Sequence, residues 1–519
     1  MRSSFPARAD RRLTAPALGK GLVLAALVCV LPALAQASPL DDAHLGGIGF
    51  AGPTNDDLSS LFWNPAALGL QAGTRGMVVL GGQRGSLRVA RDPIDPSTGV
   101  STAAGARTFA PVTGRSDRLP TSFPFGPGSF VASAQSVGNR VTLALGAFTP
   151  FAVRLDFPAT ADGVEPARYH AVTTDLSSVA IAPGLAVRLG GGIRVGVAPT
   201  FMLSRGSLVV DQDTGSPSGS VGAARICGDA PCGAENPAAA ARYALIADTD
   251  LLDSNFSFTL GAGLHLQRPA WSAGLTFITP PLDRSVELEG RSSRVDLPSR
   301  FGPGATVCPT GFDPCITSRA AYRLPMMVMA AYQRQVTSQI VLVLQARWLD
   351  LSVHDAVRVR VIGPAGGALR GSGLPEQLVL SRGLQDTFDV RVRGLFRLGN
   401  RVDLSGTLRG ETAATSRRNL SPATMGGALI EPAVAVRVFI RPWLTLSAGY
   451  AFAFAPTTRS EGALDDPGAN LACEASGADL STAPCQKRQQ GLARPTVTGG
   501  YRALTHAFSL GLSLQRLTP

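Results

Sequence analysis

The chain has 519 residues, 45% hydrophobic and only 16% charged, with 58 Gly, 38 Pro and a formal net charge of +11. The positive charge is carried by scattered arginines that never form a run, which excludes the footprint of a nucleic-acid binder. No apolar stretch beyond the N-terminal segment reaches the about 18 residues of a membrane-spanning helix, and so many glycines and prolines argue for many strands and turns.

Residues 1–37 read as an export signal. Arg2, Arg8, Arg11, Arg12 and Lys20 form a basic start, Leu22 to Leu31 an apolar segment too short to span a bilayer, and Ala35-Gln36-Ala37 a small-residue cleavage site. A mature chain beginning near Ser38 then carries a segment, 38–75, with the wrong texture for a domain core. It opens on Gly47-Ile-Gly49-Phe-Ala-Gly52, continues through Asp56-Asp57 and ends in Trp63-Asn64-Pro65-Ala66. The glycines match a dinucleotide-binding spacing, but no strand precedes them within a βαβ unit. Asp56 or Asp57 is expected to accept backbone N–H groups before a short helical stretch ending in Phe62-Trp63. Pro65 stops it, because proline cannot donate and drives the residue before it out of the α region.

From residue 76 to the end the dominant pattern has period two. In Phe388 to Leu398 the even positions are Phe, Val, Val, Gly, Phe and Leu, and the odd ones Asp389, Arg391, Arg393, Leu395 and Arg397. Alternate residues of a strand point to opposite faces, so one face is apolar and the other carries full charges. Repeated through an exported chain of this length, that pattern fits a barrel with lipid outside and water inside. Fourteen strand candidates emerge, at 76–91, 129–136, 140–154, 169–189, 192–210, 255–267, 271–289, 323–335, 339–354, 377–398, 401–412, 429–440, 442–455 and 501–515. Short connections of one to three residues alternate with long ones, at 92–128, 155–168, 211–254, 290–322, 355–376, 413–428 and 456–500. An even strand number with short turns on one rim and long loops on the other is the layout of an all-β, antiparallel outer-membrane barrel. Two features fit less well: aromatics are only 6%, thin for interfacial girdles, and the sequence closes on Leu517-Thr518-Pro519 rather than an aromatic.

After the signal, six cysteines come as close pairs, Cys227/Cys232, Cys308/Cys315 and Cys473/Cys485, each in a long loop. In an exported protein such neighbours read as local disulfides. None of the five histidines neighbours a pair, so no metal site is expected, and no catalytic motif or cofactor-binding motif is recognised elsewhere.

The segment Gly46 to Leu70, with its glycine pair, Asn55-Asp56-Asp57, Ser60 and Trp63-Asn64-Pro65-Ala66-Ala67-Leu68, resembles the N-terminal plug of the FadL/TodX family of outer-membrane transporters for hydrophobic compounds. Thr174-Asp175-Leu176 and Leu324-Pro325 extend the likeness along the barrel; Pro53-Thr54-Asn55 departs from it. The resemblance implies a fourteen-stranded transmembrane β-barrel, 76–519, in the bacterial outer membrane, closed by a hatch, 38–75. A lumen enclosed by that many strands is too wide for its own side chains, which just suffice at about eight strands.

The resemblance further implies that a single chain, bathed in outer-membrane lipid, takes up a hydrophobic small molecule such as a long-chain fatty acid or aromatic hydrocarbon, with hatch movement and lateral release at a kinked third strand. Gly146 and Pro150 are the candidates for that opening, since glycine weakens a strand and proline removes a ladder donor. Arg391, Arg393, Arg397, Arg409 and Arg437 face the lumen, to hold a ligand carboxylate or, alternatively, to pair with Asp389 and Asp403 and stiffen the wall. Two other classes remain open on the residues alone: a structural or surface-interaction barrel without transport, and a secreted β-rich enzyme.

Overall fold

The structure is a computed structural model that describes residues 43–91, 128–156, 171–213, 226–227, 230–231, 240–247, 256–282, 285–297, 316–362, 377–417, 419–422, 424, 426–460 and 499–516. Fourteen antiparallel strands form a closed wall: β1 (Thr74–Arg91), β2 (Phe130–Val137), β3 (Val141–Asp156), β4 (Thr173–Gly190), β5 (Ile193–Asp213), β6 (Phe256–Gln267), β7 (Trp271–Ile278), β8 (Met327–Gln335), β9 (Ile340–Leu349), β10 (Thr387–Leu398), β11 (Val402–Glu411), β12 (Leu429–Arg441), β13 (Leu444–Arg459) and β14 (Gly499–Arg516). Each pairs with the next, and β14 closes on β1 from Thr74↔Arg516 to Arg91↔Gly499. Full closure leaves no lipid-exposed sheet edge along that seam, the condition for a sheet to sit in hydrocarbon. The turns β2–β3, β4–β5, β6–β7, β8–β9, β10–β11 and β12–β13 are the short ones, as the sequence requires. Gly399, at φ 67, takes a left-handed conformation in the three-residue turn before β11.

Side-chain polarity explains why this wall belongs in a membrane. Leu342, Leu344, Val392, Leu510 and Leu512 are exposed on the outside, while Asp389, Arg393, Arg409 and Glu411 are buried on the inside. Only surrounding hydrocarbon makes that arrangement favourable.

Beyond the apolar band the wall continues in strands that the sequence reading assigns to loops or fuses with their neighbours. Ala240–Ala247 pairs with the end of β5 and with Val286–Leu297, which in turn pairs with Ile316–Tyr322. Ala356–Val361 follows, and Gln377–Ser381 is its outer partner. The expected single strand 271–289 is therefore two, broken at Thr279-Pro280-Pro281, where two consecutive residues have no N–H for the ladder. The expected strand 377–398 is likewise two, interrupted at Gly383 with φ 56. The expected 323–335 begins only at Met327, after Pro325, and the expected 339–354 ends at Leu349 before a 3-10 turn, Leu351–Val353.

In this second tier the polarity inverts. Val286, Leu288, Val357 and Val359 are buried, and Glu287, Glu289, Arg358 and Arg360 are exposed. Charges outside and apolar residues inside is the pattern of a sheet in water, so the level at which it changes marks the outer limit of the apolar band. Of the six loop cysteines only the backbone of Cys227 is described, paired with Ala230 in a two-residue ladder; Cys232, Cys308, Cys315, Cys473 and Cys485 lie outside the described residues, as does the signal, 1–37.

Candidate functional site: the seat of the N-terminal segment

Residues 43–73 run inside the barrel. A short helix α1, Ser60–Trp63, is followed by a 3-10 helix, Pro65–Leu70. Asp57 accepts the backbone N–H of Ser59 at 3.0 Å just ahead of α1 and also takes the Ser59 hydroxyl, while Asp56 is exposed and offers its carbonyl to Arg75 at 3.2 Å. Asn64, at φ −167, separates the two helices, and its side chain does three things. Oδ1 accepts from Ala66 N at 3.1 Å, capping the second helix, with Pro65 in the first position where its missing N–H costs nothing. Nδ2 donates to Pro53 O at 2.9 Å, tying the segment to itself, and to Leu264 O of β6 at 3.1 Å, tying it to the wall. Trp63 is fully buried; its Nε1 donates to Leu45 O at 2.8 Å, and its carbonyl accepts from Thr276 Oγ1 of β7 at 2.7 Å.

Beneath Leu61 to Ala66 the wall presents glycines on adjacent strands: Gly146 of β3, Gly184 of β4, Gly196 of β5, Gly263 of β6 and Gly274 of β7. A Cβ at Gly146 would stand 2.6 Å from Leu61 Cδ2, and one at Gly274 would stand 2.5 Å from Pro53 O. At Gly196 it would collide with the backbone of Pro65 and Ala66, and at Gly263 with Asn64 Oδ1. The Asn-Pro turn lies on this shelf because nothing larger than hydrogen projects from it. The sequence reading does not single these glycines out; the signal available to it is glycine recurring at the lumen-facing parity of consecutive strands.

On the other side the wall reaches inward. Arg393 donates to Ala51 O at 2.9 Å and to Asn55 Oδ1 at 2.9 Å, and Arg391 donates to Ala43 O at 3.0 Å while lying over the Trp63 ring. Arg437 lies 4.2 Å from the Phe50 ring centroid and meets Asp57 Oδ2 at 3.3 Å. Ser405 donates to Gly49 O at 2.6 Å, and Ser509 accepts from Ile48 N at 3.0 Å. Arg409 instead stays within the wall, against Glu411, against Glu431 at 3.3 Å and within 3.6 Å of Asp389, which also pairs with Arg347 at 2.5 Å. Arg397 is exposed near the short-turn rim, away from the segment. The five arginines thus divide: Arg393 and Arg437 clamp the segment, Arg409 belongs to a buried wall network, Arg391 does both, pairing with Asp389 at 3.5 Å as well as with Ala43 O, and Arg397 does neither. Burial holds the Asp57 carboxyl above its ordinary range, against the opposing pull of Arg437.

The two positions expected at a wall opening also separate. Gly146 keeps both ladders, to Ala132 and to Ala182, and serves the shelf. Pro150 sits where the β3–β4 register shifts, between Phe148 and Phe151. β2 ends at the same level, Phe130 pairing with Val79 and Phe148. Above it β1 runs on beside β14 alone and β3 beside β4 alone, and among the described residues no strand links those two edges. A small apolar cavity opens here between Leu61 and Phe62 of the segment and Phe148, Pro150, Phe151 and Met202 of the wall.

A closed barrel with an apolar outer band and its own N-terminal segment in the lumen is a bacterial outer-membrane β-barrel of the plugged kind. The chain belongs to the family of outer membrane protein transport proteins, OMPP1/FadL/TodX, whose model matches residues 27–382. Among solved structures it is similar to a Pseudomonas aeruginosa FadL homologue, at 14% identity over 92% of this chain and 99% of that one, with a TM-score of 0.64. The Ralstonia pickettii toluene transporter TbuX aligns at 11% identity over 92% and 98%, with a TM-score of 0.53. The Pseudomonas putida toluene transporter TodX does so at 12% identity over 92% and 97%, with a TM-score of 0.54. At these identities the likeness is one of fold. No curated protein sequence matches the chain.

Proposed function

We propose that this outer-membrane transport protein admits hydrophobic small molecules, such as long-chain fatty acids or aromatic hydrocarbons, acting as a single chain and without chemical conversion. Residues 38–75 act as its hatch. The observation that carries the reading is the apolar cavity between Phe62 and Phe148, placed at the level where the wall loses β2 and β3 slips register at Pro150. An apolar solute gains nothing from a water-filled pore, whereas a cavity beside a wall gap offers it a path from one apolar phase to another. Movement of Leu61 and Phe62 away from Phe148 would widen the cavity, and lateral exit past Pro150 would follow. Membership of this transport family and the toluene transporters of the same fold support the reading.

The test is entry of radiolabelled toluene and of radiolabelled oleate into cells that lack other carriers and produce this chain. Phe151→Arg places a charge on the cavity wall and is expected to abolish the uptake of whichever compound the wild type admits. Heat-modifiable gel migration reports whether the variant barrel is folded. Uptake of neither compound by the wild type, or undiminished uptake by a folded Phe151→Arg variant, contradicts the proposal.

A further inference from the structure

The outer face of the β13–β14 pair carries a feature that transport does not use. Along β14 the exposed residues rise from the short-turn rim as Leu514, Leu512, Leu510 and Phe508, then His506 and Arg502. Leu514 to Arg502 is twelve residue steps, about 40 Å of strand, which at a tilt of about 40° rises about 30 Å and so clears an apolar band about 25 Å tall. Arg502 therefore stands at head-group level on the lipid-facing side, with His506 about 10 Å below it at the upper edge of the band, and a cation on a barrel wall is tolerated only near that interface.

Neighbouring aromatics hold both in place. The Tyr450 hydroxyl and His506 Nδ1 share a hydrogen bond of 2.7 Å, and the Phe452 ring lies 5.1 Å from the imidazole. With the phenol donating to Nδ1, the imidazole proton sits on Nε2 as a free donor. Arg502 Cζ lies 5.5 Å from the Phe454 ring centroid, which braces the guanidinium without consuming its N–H donors. No carboxylate pairs with Arg502 or His506 among the described residues.

We propose that Arg502 and His506, backed by Tyr450 and Phe454, form a binding site for the phosphate of an outer-leaflet lipid head group. Charge complementarity selects an anion, and the donors suit a phosphate oxygen. The apolar wall directly below selects an anion with hydrocarbon tails, since only such a molecule covers Leu510 and Phe508 while its head meets Arg502. The inference rests on the outer-membrane placement and is independent of which compound is transported.

The experiment is native mass spectrometry of the full-length protein in detergent, titrated with diphosphorylated lipid A. The wild type is expected to retain lipid adducts; Arg502→Gln with His506→Gln is expected to lower adduct abundance about tenfold, in line with one or two interfacial charges lost. Arg502→Lys with His506→Lys is expected to restore most of it, and lipid A stripped of phosphate is expected to bind wild type and variant alike, weakly. Heat-modifiable migration confirms that each barrel is folded. Equal adducts in wild type and the glutamine variant, or equal binding of the phosphate-free lipid by the wild type, overturns the assignment. A lipid result of either kind leaves uptake of toluene or oleate as a separate reading.

Discussion

Residues 43–57 of the lumenal segment are held mainly by arginine and serine side chains that reach out from the wall, whereas residues 61–66 lie mainly on wall glycines, with Thr276 and Arg391 also meeting Trp63. The first contact is made of charge-assisted hydrogen bonds from Arg391, Arg393 and Arg437, carried on long side chains that can adjust. The second is made of close packing on wall glycines, the Pro65–Ala66 backbone on Gly196 and the Asn64 side chain on Gly263 and Gly274, where there is no slack. One seat fails by degrees and the other fails outright. A plug is thus fixed in register where its chain lies on bare glycine and held adjustably where arginines reach it.

The largest effect is expected from Gly196→Val. Its side chain must displace the Pro65–Ala66 backbone, which cannot move aside as a side-chain tip could, so the overpacking cost is expected at about 3 kcal/mol. Amide exchange across residues 58–70 should rise to that of an unseated segment, and ion conductance through the barrel should rise with it. Unchanged exchange at these residues would remove the shelf from the account.

Asn64→Ala comes next. It deletes the cap on Ala66 and leaves the carbonyls of Pro53 and Leu264 without their donor, at about 2 kcal/mol. The same exchange measurement should show a smaller rise, covering both 53–57 and 64–70, because Asn64 joins the two halves. Arg393→Gln tests the clamp alone and is expected to loosen 49–55 by about 1–2 kcal/mol while leaving 60–70 protected. Arg397→Gln is the control: the side chain is exposed and touches neither half, so exchange should not change.

The smallest effect is a pH dependence. Burial raises the Asp57 carboxyl above 3.8, so the seated segment binds a proton more readily than the free one. That proton's contribution to seating is complete below the ordinary value and is lost as pH rises through the raised one. Protection of residues 49–57 should therefore improve as pH falls through the raised value, and Asp57→Asn should flatten the slope.

The barrel was legible in the sequence because period-two polarity survives wherever one face meets lipid: Phe388 to Leu398 reads the same in the chain and in β10. The Trp63-Asn64-Pro65 turn was legible for a local reason, since Pro65 dictates where the helix must stop. The second tier was hidden, because strands such as Val286–Leu297 and Ala356–Val361 reverse the polarity and follow proline or turn residues, so they resemble loops. The glycine shelf was hidden for another reason: Gly146, Gly196 and Gly263 lie far apart in the chain, and only strand pairing brings them under one turn. The division of the arginines was illegible too, since Arg391, Arg393 and Arg397 share a parity and differ only in height along β10.

The central claim is that the segment following residue 42 lies in the lumen against the wall. It is tested most directly by pairing Ile48→Cys with Ser509→Cys in a chain whose native cysteines are serines, since the Ile48 amide lies 3.0 Å from the Ser509 hydroxyl. Oxidation followed by peptide mass spectrometry should find the two cysteines joined in the folded barrel. Two free thiols, both labelled by a water-soluble maleimide, would contradict it.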